Sequence, residues 1–226
     1  MDDVPWVIKY PTEYMCKKGC YLIDGIEHER VTNINNIVAK PGLMHWYGHV
    51  GNSKAKAILQ ASNEHGSMVH KIIEWILNGI DVDMSNYSQH VQNDIKAWHD
   101  DWLGKHDVVA EGTEVHLFDS DLLCAGTSDF IGLVDGKRYI GDWKTSGAIY
   151  SSYWMQLGAY AHMFEQLTKL KLDGVFIVRI KDGKIQDEQY VGRQAVENIL
   201  YPAFSAALEM FISKKRLEEW MKDASG

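Results

Sequence analysis

The sequence predicts an α/β fold in which a mixed central β-sheet is flanked by helices. Its segments follow one another as helices, three strands, a helix, two strands and a final helix. Asp-Gly pairs at 135–136 and 182–183 each separate two β-rich apolar runs, which is a strong signal for a two-residue hairpin loop. Helices alternating with such strands indicate a layered α/β arrangement.

The N-terminal half is expected to contain short irregular strands followed by helices. Residues 1–30 are predicted to form short irregular strands. Helices are predicted at 31–37, 43–48, 53–79 and 87–105. In the third of these, Val69, Ile72 and Ile76 recur at helical spacing. Trp98 and Trp102 share a face of the fourth helix, and we expect that face to pack on the core; stacking on unpaired bases is the alternative.

The C-terminal half supplies the predicted hairpins and the helices that follow them. Strands are predicted at 108–118, 122–134, 137–144, 174–181 and 184–191. The segment 150–170 is predicted as a helix because Leu157, Ala161 and Phe164 lie at helical spacing, and a last helix is predicted at 194–222. A chain of 226 residues, 46% hydrophobic and 24% charged, is long enough for one well-packed domain.

The charge balance argues against a general nucleic-acid-binding surface, because the formal net charge is −8 and such surfaces carry a basic excess. A local basic groove is compatible with an acidic chain. Its candidate residues are Lys54, Lys56, Lys71, Lys137, Arg138 and Lys144. The chain has no apolar run of 18 residues, and its start, MDDVPWVIKY, lacks the features of a signal or transit peptide. We therefore expect a cytoplasmic protein without a membrane partner.

The cysteines are few and odd in number: Cys16, Cys20 and Cys124. In a cytoplasmic protein such a set argues against a disulfide framework. Cys16 and Cys20 could supply two zinc ligands with His28 nearby, but a pair of free thiols is the favoured interpretation.

The hairpin at 135–136 is expected to bring two aspartates face to face. A two-residue loop pairs positions whose numbers add to 271, and this register places Asp129 opposite Asp142. Such a non-hydrogen-bonded pair has Cα atoms roughly 4.5 Å apart. Like charges opposite each other destabilise a sheet, whereas a hard divalent cation between them would offset the repulsion. Lys144 projects on the same side as Asp142 because strand side chains alternate.

The alternative is that this Asp-x-Lys segment lies on a solvated strand face. Both strands look largely buried, however, since apolar residues such as Phe130, Ile140 and Trp143 run along them. Charged groups on a buried strand are costly unless they are paired or bind metal. Two facing carboxylates beside an ammonium group therefore predict a metal-dependent phosphodiesterase site.

Two helices carry further candidates. Gln156 and Tyr160 are four residues apart, so they share one helical face and can hydrogen-bond the lysine or a substrate phosphate. His70 lies one turn after Gly66, whose missing side chain would let another element approach His70 closely. Taken alone, each of these residues is more simply explained as structural or solvated.

Together, these motifs resemble an ordered family signature. They are Gly66-x-x-x-His70, Glu114, Gly126-Thr127-x-Asp129, Asp142-Trp143-Lys144-Thr145-Ser146 and Gln156-x-x-x-Tyr160. This order is similar to that of the RecB-like branch of the PD-(D/E)XK nucleases, and the resemblance covers roughly residues 30–165. Residues 31–46 also resemble a segment near the start of single-domain members, which include phage exonucleases and the mitochondrial genome maintenance exonuclease.

The resemblance implies a restriction-endonuclease-like core and a single nuclease domain over residues 1–226. Within it, residues 1–60 would be an N-terminal helical and irregular region, 61–191 the catalytic core and 192–226 a C-terminal helix. Several RecB-like nucleases carry an iron–sulfur cluster with three cysteines after the catalytic core. No cysteine follows residue 124 here, so we expect no such cluster.

The resemblance also implies the roles of individual residues. The expected catalytic residues are Lys144, Asp129, Asp142, Gln156 and Tyr160, and the expected ligands of Mg²⁺ or Mn²⁺ are Asp129, Asp142, the backbone carbonyl of Trp143, His70 and Glu114. Lys144 would orient the attacking water and stabilise charge on the phosphate, while Gln156 and Tyr160 would hold Lys144 or the adjacent phosphate.

The implied activity is that of a DNA exonuclease acting in recombination, repair or replication. If a phage encodes it, it would act in the cytoplasm of the host. Its partner would be DNA, as single strands or strand ends. Two alternatives stay open: a structure-directed endonuclease of the same fold, and a non-catalytic DNA-binding module.

Overall fold

The structure is a computed structural model that describes residues 4–11, 13–17 and 19–224. It is a mixed α/β fold, as predicted, in which an eight-stranded sheet is flanked by helices. The strands are β1 Tyr14–Cys16, β2 Cys20–Ile23, β3 Ile26–Arg30, β4 Val108–Asp119, β5 Cys124–Val134, β6 Lys137–Lys144, β7 Gly174–Lys181 and β8 Lys184–Gly192. The strands β4 to β8 lie within two residues of their predicted bounds.

The helices also follow the prediction, except that the fourth ends at residue 101 instead of 105 and that the last is made of three helical segments. They are α1 Val31–Asn35, α2 Pro41–Val50, α3 Asn52–Leu77, α4 Gln89–Asp101, α5 Ser151–Thr168, α6 Arg193–Ala195 and α7 Tyr201–Asp223. Short 3₁₀ turns occur at Met84–Asn86 and Leu103–Lys105, and a π-helical segment, Val196–Leu200, joins α6 to α7. None of the helices in the described residues combines the length and apolar character needed to cross a membrane.

The sheet runs in the order β1-β2-β3-β5-β6-β7-β8, with β4 on the other edge of β5. The pairs β3–β5 and β6–β7 are parallel and the remaining pairs are antiparallel, so the sheet is mixed. The segment 1–30, predicted as short irregular strands, contributes β1 to β3 to this central sheet.

The two Asp-Gly hairpins have the predicted turns. Asp135, Gly136, Asp182 and Gly183 all have positive φ, between 52° and 76°, which is the conformation required at both central positions of a type I′ turn. The β5–β6 register is also the predicted one, because Val134 pairs with Lys137 at the start of the ladder and Phe130 pairs with Gly141 at its end.

The strands separate beyond Phe130, and this fork positions the candidate site. One edge of β5 is occupied by β4 along its whole length. On the other edge, β3 pairs with Cys124 and Ala125, while β6 pairs only with residues 130–134. Residues 126–129 therefore lie between the end of β3 and the departing β6.

Each face of the sheet has its own hydrophobic core. One core contains Ile34, Phe164 and Phe204 from α1, α5 and α7. The other contains Trp98 from α4 and Trp102, both fully buried, as we expected from their shared helical face. The Trp102 ring lies 4.8 Å from that of Trp143 in β6, in an edge-to-face arrangement.

An ion cluster at the β5–β6 turn should make stability depend on pH. His106 Nδ1 lies 2.7 Å from Asp135 and its Nε2 lies 2.8 Å from Glu188. Burial alone would lower the pKa of His106, but the two carboxylates raise it above its ordinary value. The stabilisation is therefore fully present below about pH 6.5 and is lost as the pH rises through the raised pKa.

We expect His106→Gln to lower the melting temperature more at about pH 5.5 than at pH 9, because only the charged imidazole satisfies both carboxylates. Thermal melts across this range, with the exposed His99→Gln as control, measure the difference. If the difference in melting temperature between wild type and His106→Gln did not change with pH, the effect would be assigned to packing on Trp102, whose ring centroid lies 5.5 Å from that of His106.

Candidate functional site

Asp129 lies at the fork between β5 and β6. Its Oδ2 accepts a hydrogen bond from the backbone N–H of Trp143 at 3.1 Å and lies 3.2 Å from Nδ1 of His70 in α3. The β5–β6 ladder ends at Phe130–Gly141, one pair short of the Asp129–Asp142 pair that the sequence predicts. The side chain of Asp129, instead of the β5 backbone, thus meets β6 at this point.

Asp142 and Lys144 project from β6 on the same side, as predicted. Lys144 Nζ donates a hydrogen bond to Oδ1 of Asp142 at 2.9 Å and lies 2.6 Å from Oδ2. The approach to Oδ2 lacks hydrogen-bond geometry, so among the described residues this oxygen has an ion pair with Lys144 but no hydrogen bond. Asp142 is 3% exposed, and a buried carboxylate is costly unless it is paired or binds a metal ion.

Glu114 in β4 faces the same cluster. In this part of the β4–β5 ladder the residue numbers of paired positions, such as Thr113 and Phe130, add to 243. Glu114 therefore lies opposite Asp129. Its φ of 49° is a left-handed conformation, rare for a non-glycine residue. One ligand atom each from His70, Glu114 and Asp129 can be chosen so that all lie within 4.8 Å of one another. Two carboxylates and an imidazole can therefore converge on one metal ion.

The pKa values reflect an excess of negative charge. Burial, with the charge of Asp129 next in size, raises the pKa of Glu114 to about 7 even though the residue as a whole is exposed. Burial is also the largest cause that raises the pKa of Asp142 to about 6, against the attraction of Lys144. Burial alone would raise the pKa of Asp129, but His70, Lys144 and the Trp143 N–H hold it below its usual range.

The cationic groups show the complementary effect. Burial alone would lower the pKa of Lys144, but Asp142 and Asp129 raise it, so the ammonium group stays protonated. In the same way, Asp129 raises the pKa of His70 against the effect of burial. Three carboxylates with one fixed ammonium fit a divalent cation, and mostly oxygen ligands with one imidazole suit Mg²⁺ or Mn²⁺.

The Gln156 and Tyr160 pair lies on α5, under the fork. We expected these residues to hold Lys144 or a phosphate; in the structure, Gln156 Nε2 donates to the Tyr160 hydroxyl at 3.1 Å. The contacts of the Lys144 ammonium are instead with Asp142 and with the ring of Tyr153, whose centroid is 4.5 Å away. Sequence reasoning missed Tyr153, although its spacing of three residues from Gln156 places it on the same face of α5.

Gly126 explains how Tyr160 reaches this position. A Cβ at residue 126 would lie 2.5 Å from the ring and 2.6 Å from the hydroxyl oxygen of Tyr160. We therefore expect Gly126→Ala to displace the buried Tyr160 ring and to reduce the free energy of unfolding by about 1–3 kcal/mol. Urea titration measures the effect, with Gly48→Ala as the control because nothing lies within 4 Å of its added Cβ. Equal stability of both variants would contradict this account.

Gly66 has the role that the sequence suggested. A Cβ there would lie 2.9 Å from the hydroxyl oxygen of Thr145, so the segment after β6 approaches α3 at this glycine. His70, one helical turn further along α3, lies with its Nδ1 3.2 Å from Asp129 Oδ2.

The cluster opens into a cleft of about 550 Å³. Its lining residues are Gly66, Ser67, His70, Lys71, Glu74, Glu114 and Asp129. A groove of about 830 Å³ between α2 and α3 shares Ser67 and Lys71 with this cleft and is also lined by Lys56. Among the other proposed groove residues, Arg138 is paired with Glu111 through two hydrogen bonds, and neither it nor Lys137 lines the groove.

The cysteines do not form a site in the described residues. Cys16, Cys20 and Cys124 are not joined by disulfides within the described residues, and the Cys16 sulfur accepts a hydrogen bond from Arg30 at 2.8 Å. Within residues 4–11, 13–17 and 19–224, the side-chain groups spaced to hold a metal do not include Cys16, Cys20 or His28.

Comparisons with known proteins add little. No family model matches the chain, and no curated protein matches it. Among solved structures, the chain is similar to one described as "Crystal structure of SSO0001", with 15% sequence identity and a TM-score of 0.42. The match covers 87% of this chain and 78% of that chain, and a likeness this weak carries no argument about function.

Proposed function

We propose that this chain is a metal-dependent nuclease of the RecB-like PD-(D/E)XK kind that hydrolyses phosphodiester bonds in DNA as an exonuclease. The observation that carries the proposal is the buried Asp142–Lys144 pair beside the group formed by His70, Glu114 and Asp129. Within the described residues, Asp142 Oδ2 has the Lys144 ammonium at 2.6 Å but no hydrogen bond, so this oxygen can also ligate a cation.

The contacts of the carboxylates and the imidazole support one ligand set. Asp129 and Asp142 would hold Mg²⁺ or Mn²⁺, and Glu114 or His70 would complete the set. The family resemblance alone adds the backbone carbonyl of Trp143. A cation bound there supplies Lewis acidity at the scissile phosphate and lowers the pKa of a bound water. With its pKa raised to about 7, Glu114 is partly protonated near neutral pH in the metal-free protein, so binding of a cation would release a proton.

Lys144 would act on the reacting groups directly. Its hydrogen bond to Asp142 fixes the ammonium group, and its raised pKa keeps it charged. It can thus donate to the attacking water and stabilise negative charge developing on the phosphate. Gln156 and Tyr160 would support the site from α5, since they form a hydrogen bond with each other and the Tyr160 ring lies against Gly126.

The groove between α2 and α3 supports a nucleic-acid strand as the substrate. It leads into the cleft and offers Lys56 beside the aromatic rings of Tyr47 and Trp75, together with Lys71, which also pairs with Glu74 at 2.7 Å. Lys71 Nζ lies 5.5 Å from the Trp75 ring centroid. Interleaved basic and aromatic side chains suit a single strand, whose phosphates and bases they contact respectively.

The non-catalytic alternative, a DNA-binding module, is less well supported. A protein that only binds DNA has no need for buried Asp142, whose ionisation burial opposes. The endonuclease alternative has the same fold and site but cleaves within a strand instead of from an end. Covalently closed single-stranded circles distinguish the two, because an exonuclease leaves them intact while an endonuclease opens them.

Removal of divalent metal is expected to abolish cleavage, and excess Mg²⁺ or Mn²⁺ should restore it. The physical reason is that three carboxylates in one cleft repel a phosphate unless a cation is bound. End-labelled single- and double-stranded DNA oligonucleotides, resolved over time with and without EDTA, provide the measurement. Undiminished cleavage by clean protein in chelator would refute the metal site, and no cleavage of any DNA with metal present would refute the nuclease.

A further inference from the structure

A second group of potential metal ligands lies outside the cleft. It consists of His65 in α3 and His90 and Asp94 in α4, and the turn between β7 and β8 packs against it. One ligand atom each from these residues can be chosen so that all lie within 4.8 Å of one another. His90 and Asp94 are four residues apart on α4, a spacing that places two ligands on one helical face.

Asp94 is the unusual member of this group, because its side chain is fully buried. Its Oδ1 accepts a hydrogen bond from the backbone N–H of Gly183 at 2.6 Å. Its Oδ2 lies 2.9 Å from Nε2 of His65 and 3.6 Å from Nε2 of His90. In the described part of the chain these two imidazoles are its only ion-pair partners, with no lysine or arginine among them.

The two imidazoles lie close to each other as well as to this carboxylate. The rings of His65 and His90 are tilted at 30° to each other, with centroids 4.1 Å apart. A buried carboxylate is costly unless it is paired or binds a metal ion. A single divalent ion would place its charge between all three side chains.

We propose that His65, His90 and Asp94 bind one Zn²⁺ or a similar divalent transition-metal ion. Two imidazoles with one carboxylate are ligands that such ions prefer, whereas Mg²⁺ prefers oxygen. Bonds of about 2.0–2.1 Å to a tetrahedral ion place its ligand atoms about 3.3–3.4 Å apart, and the separations of 2.9 Å and 3.6 Å from Asp94 Oδ2 lie on either side of that value.

The surroundings complete the site. The Gly183 N–H fixes Asp94 Oδ1 and leaves Oδ2 to face the ion, as second-shell hydrogen bonds to metal ligands commonly do. Asp182 Oδ1 lies 4.0 Å from His90 Nε2, so this carboxylate or a water can supply the fourth ligand. The ion would join α3, α4 and the β7–β8 turn, and so brace the helix that carries His70.

The test measures the metal content of a variant that lacks Asp129, a ligand of the proposed nuclease metal site. In an Asp129→Asn background, metal-stripped protein is equilibrated with limiting Zn²⁺ and assayed by elemental analysis, and Co²⁺ is added in parallel to record visible absorption. We expect one tightly bound ion. Adding His90→Ala should weaken binding by more than about 100-fold, since changes to second-shell partners alone cost roughly 10–100-fold. His90 is exposed, so this variant should fold.

Two further variants make the result specific. His99→Ala, on the same helix but outside the group, should bind metal like its parent. His90→Cys should retain Co²⁺ and add a thiolate charge-transfer band in the near ultraviolet, which a merely structural histidine would not produce. Absence of a tight ion in the Asp129→Asn protein, or equal binding by the His90→Ala and His99→Ala proteins, would overturn the proposal. Neither readout depends on DNA cleavage, so failure of the nuclease proposal leaves this test intact.

Discussion

Asp142→Asn is expected to abolish DNA cleavage while leaving the metal-free protein at least as stable as the wild type at about pH 8. The loss of cleavage follows because an amide cannot supply the negative charge that a divalent cation requires. The sequence attributed the instability of this site to repulsion between Asp129 and Asp142. In the structure, burial of Asp142 is the larger cause, and repulsion by Asp129 adds to it.

The sign of the stability effect follows from the pKa of Asp142, which is about 6 in the folded protein and ordinarily near 3.9. The unfolded chain loses this proton first as the pH rises, so stability falls between roughly pH 4 and pH 6. Asparagine avoids that loss, which amounts to at most about 3 kcal/mol. The gain is reduced because Lys144 loses its partner, although Asp129 still attracts it.

Thermal melts in EDTA and a time course of DNA cleavage with Mn²⁺ measure the two effects of Asp142→Asn. The exposed Asp81→Asn serves as the control for loss of one charge. A large fall in the stability of the metal-free protein would show that Asp142 is mainly a structural partner of Lys144. Near-normal cleavage would remove Asp142 from the ligand set.

Lys144→Ala is expected to lower turnover by about 10²–10³, or roughly 3–4 kcal/mol, the usual cost of losing one electrostatic contact to the transition state. DNA affinity should change little, because the lysines of the α2–α3 groove remain. Gln156→Ala and Tyr160→Phe should cost less. Their effects should also be non-additive, since the two side chains share one hydrogen bond.

Single-turnover rates with Mn²⁺, together with DNA affinity measured in Ca²⁺, separate chemistry from binding for Lys144→Ala. Lys96→Ala is a suitable control, since Lys96 is exposed and pairs with exposed Asp100 on α4. Equal losses in rate and affinity would make Lys144 a binding residue. Normal turnover with metal still bound would mean that the Asp-x-Lys strand has no catalytic role.

The local sequence by itself determined most of the fold. The two Asp-Gly pairs determined both hairpins and the β5–β6 register, because few residues tolerate positive φ at consecutive positions. Strand alternation then placed Lys144 beside Asp142. Helical spacing likewise placed Gln156 beside Tyr160 and buried Trp98. Each of these outcomes depends on backbone geometry over a few residues.

Only the tertiary structure decided which groups meet across elements. The fork that separates Asp129 from Asp142 arises where β3 and β6 share one edge of β5, and no local rule predicts that sharing. Likewise, Glu114 reaches Asp129 through the β4–β5 register, whose irregularity between Ala110 and Gly112 shifts the pairing by one residue. His65 meets Asp94 only because α3 packs against α4 beside the β7–β8 turn. Such contacts join residues that are distant in the chain and depend on how whole elements pack, so local sequence patterns do not predict them.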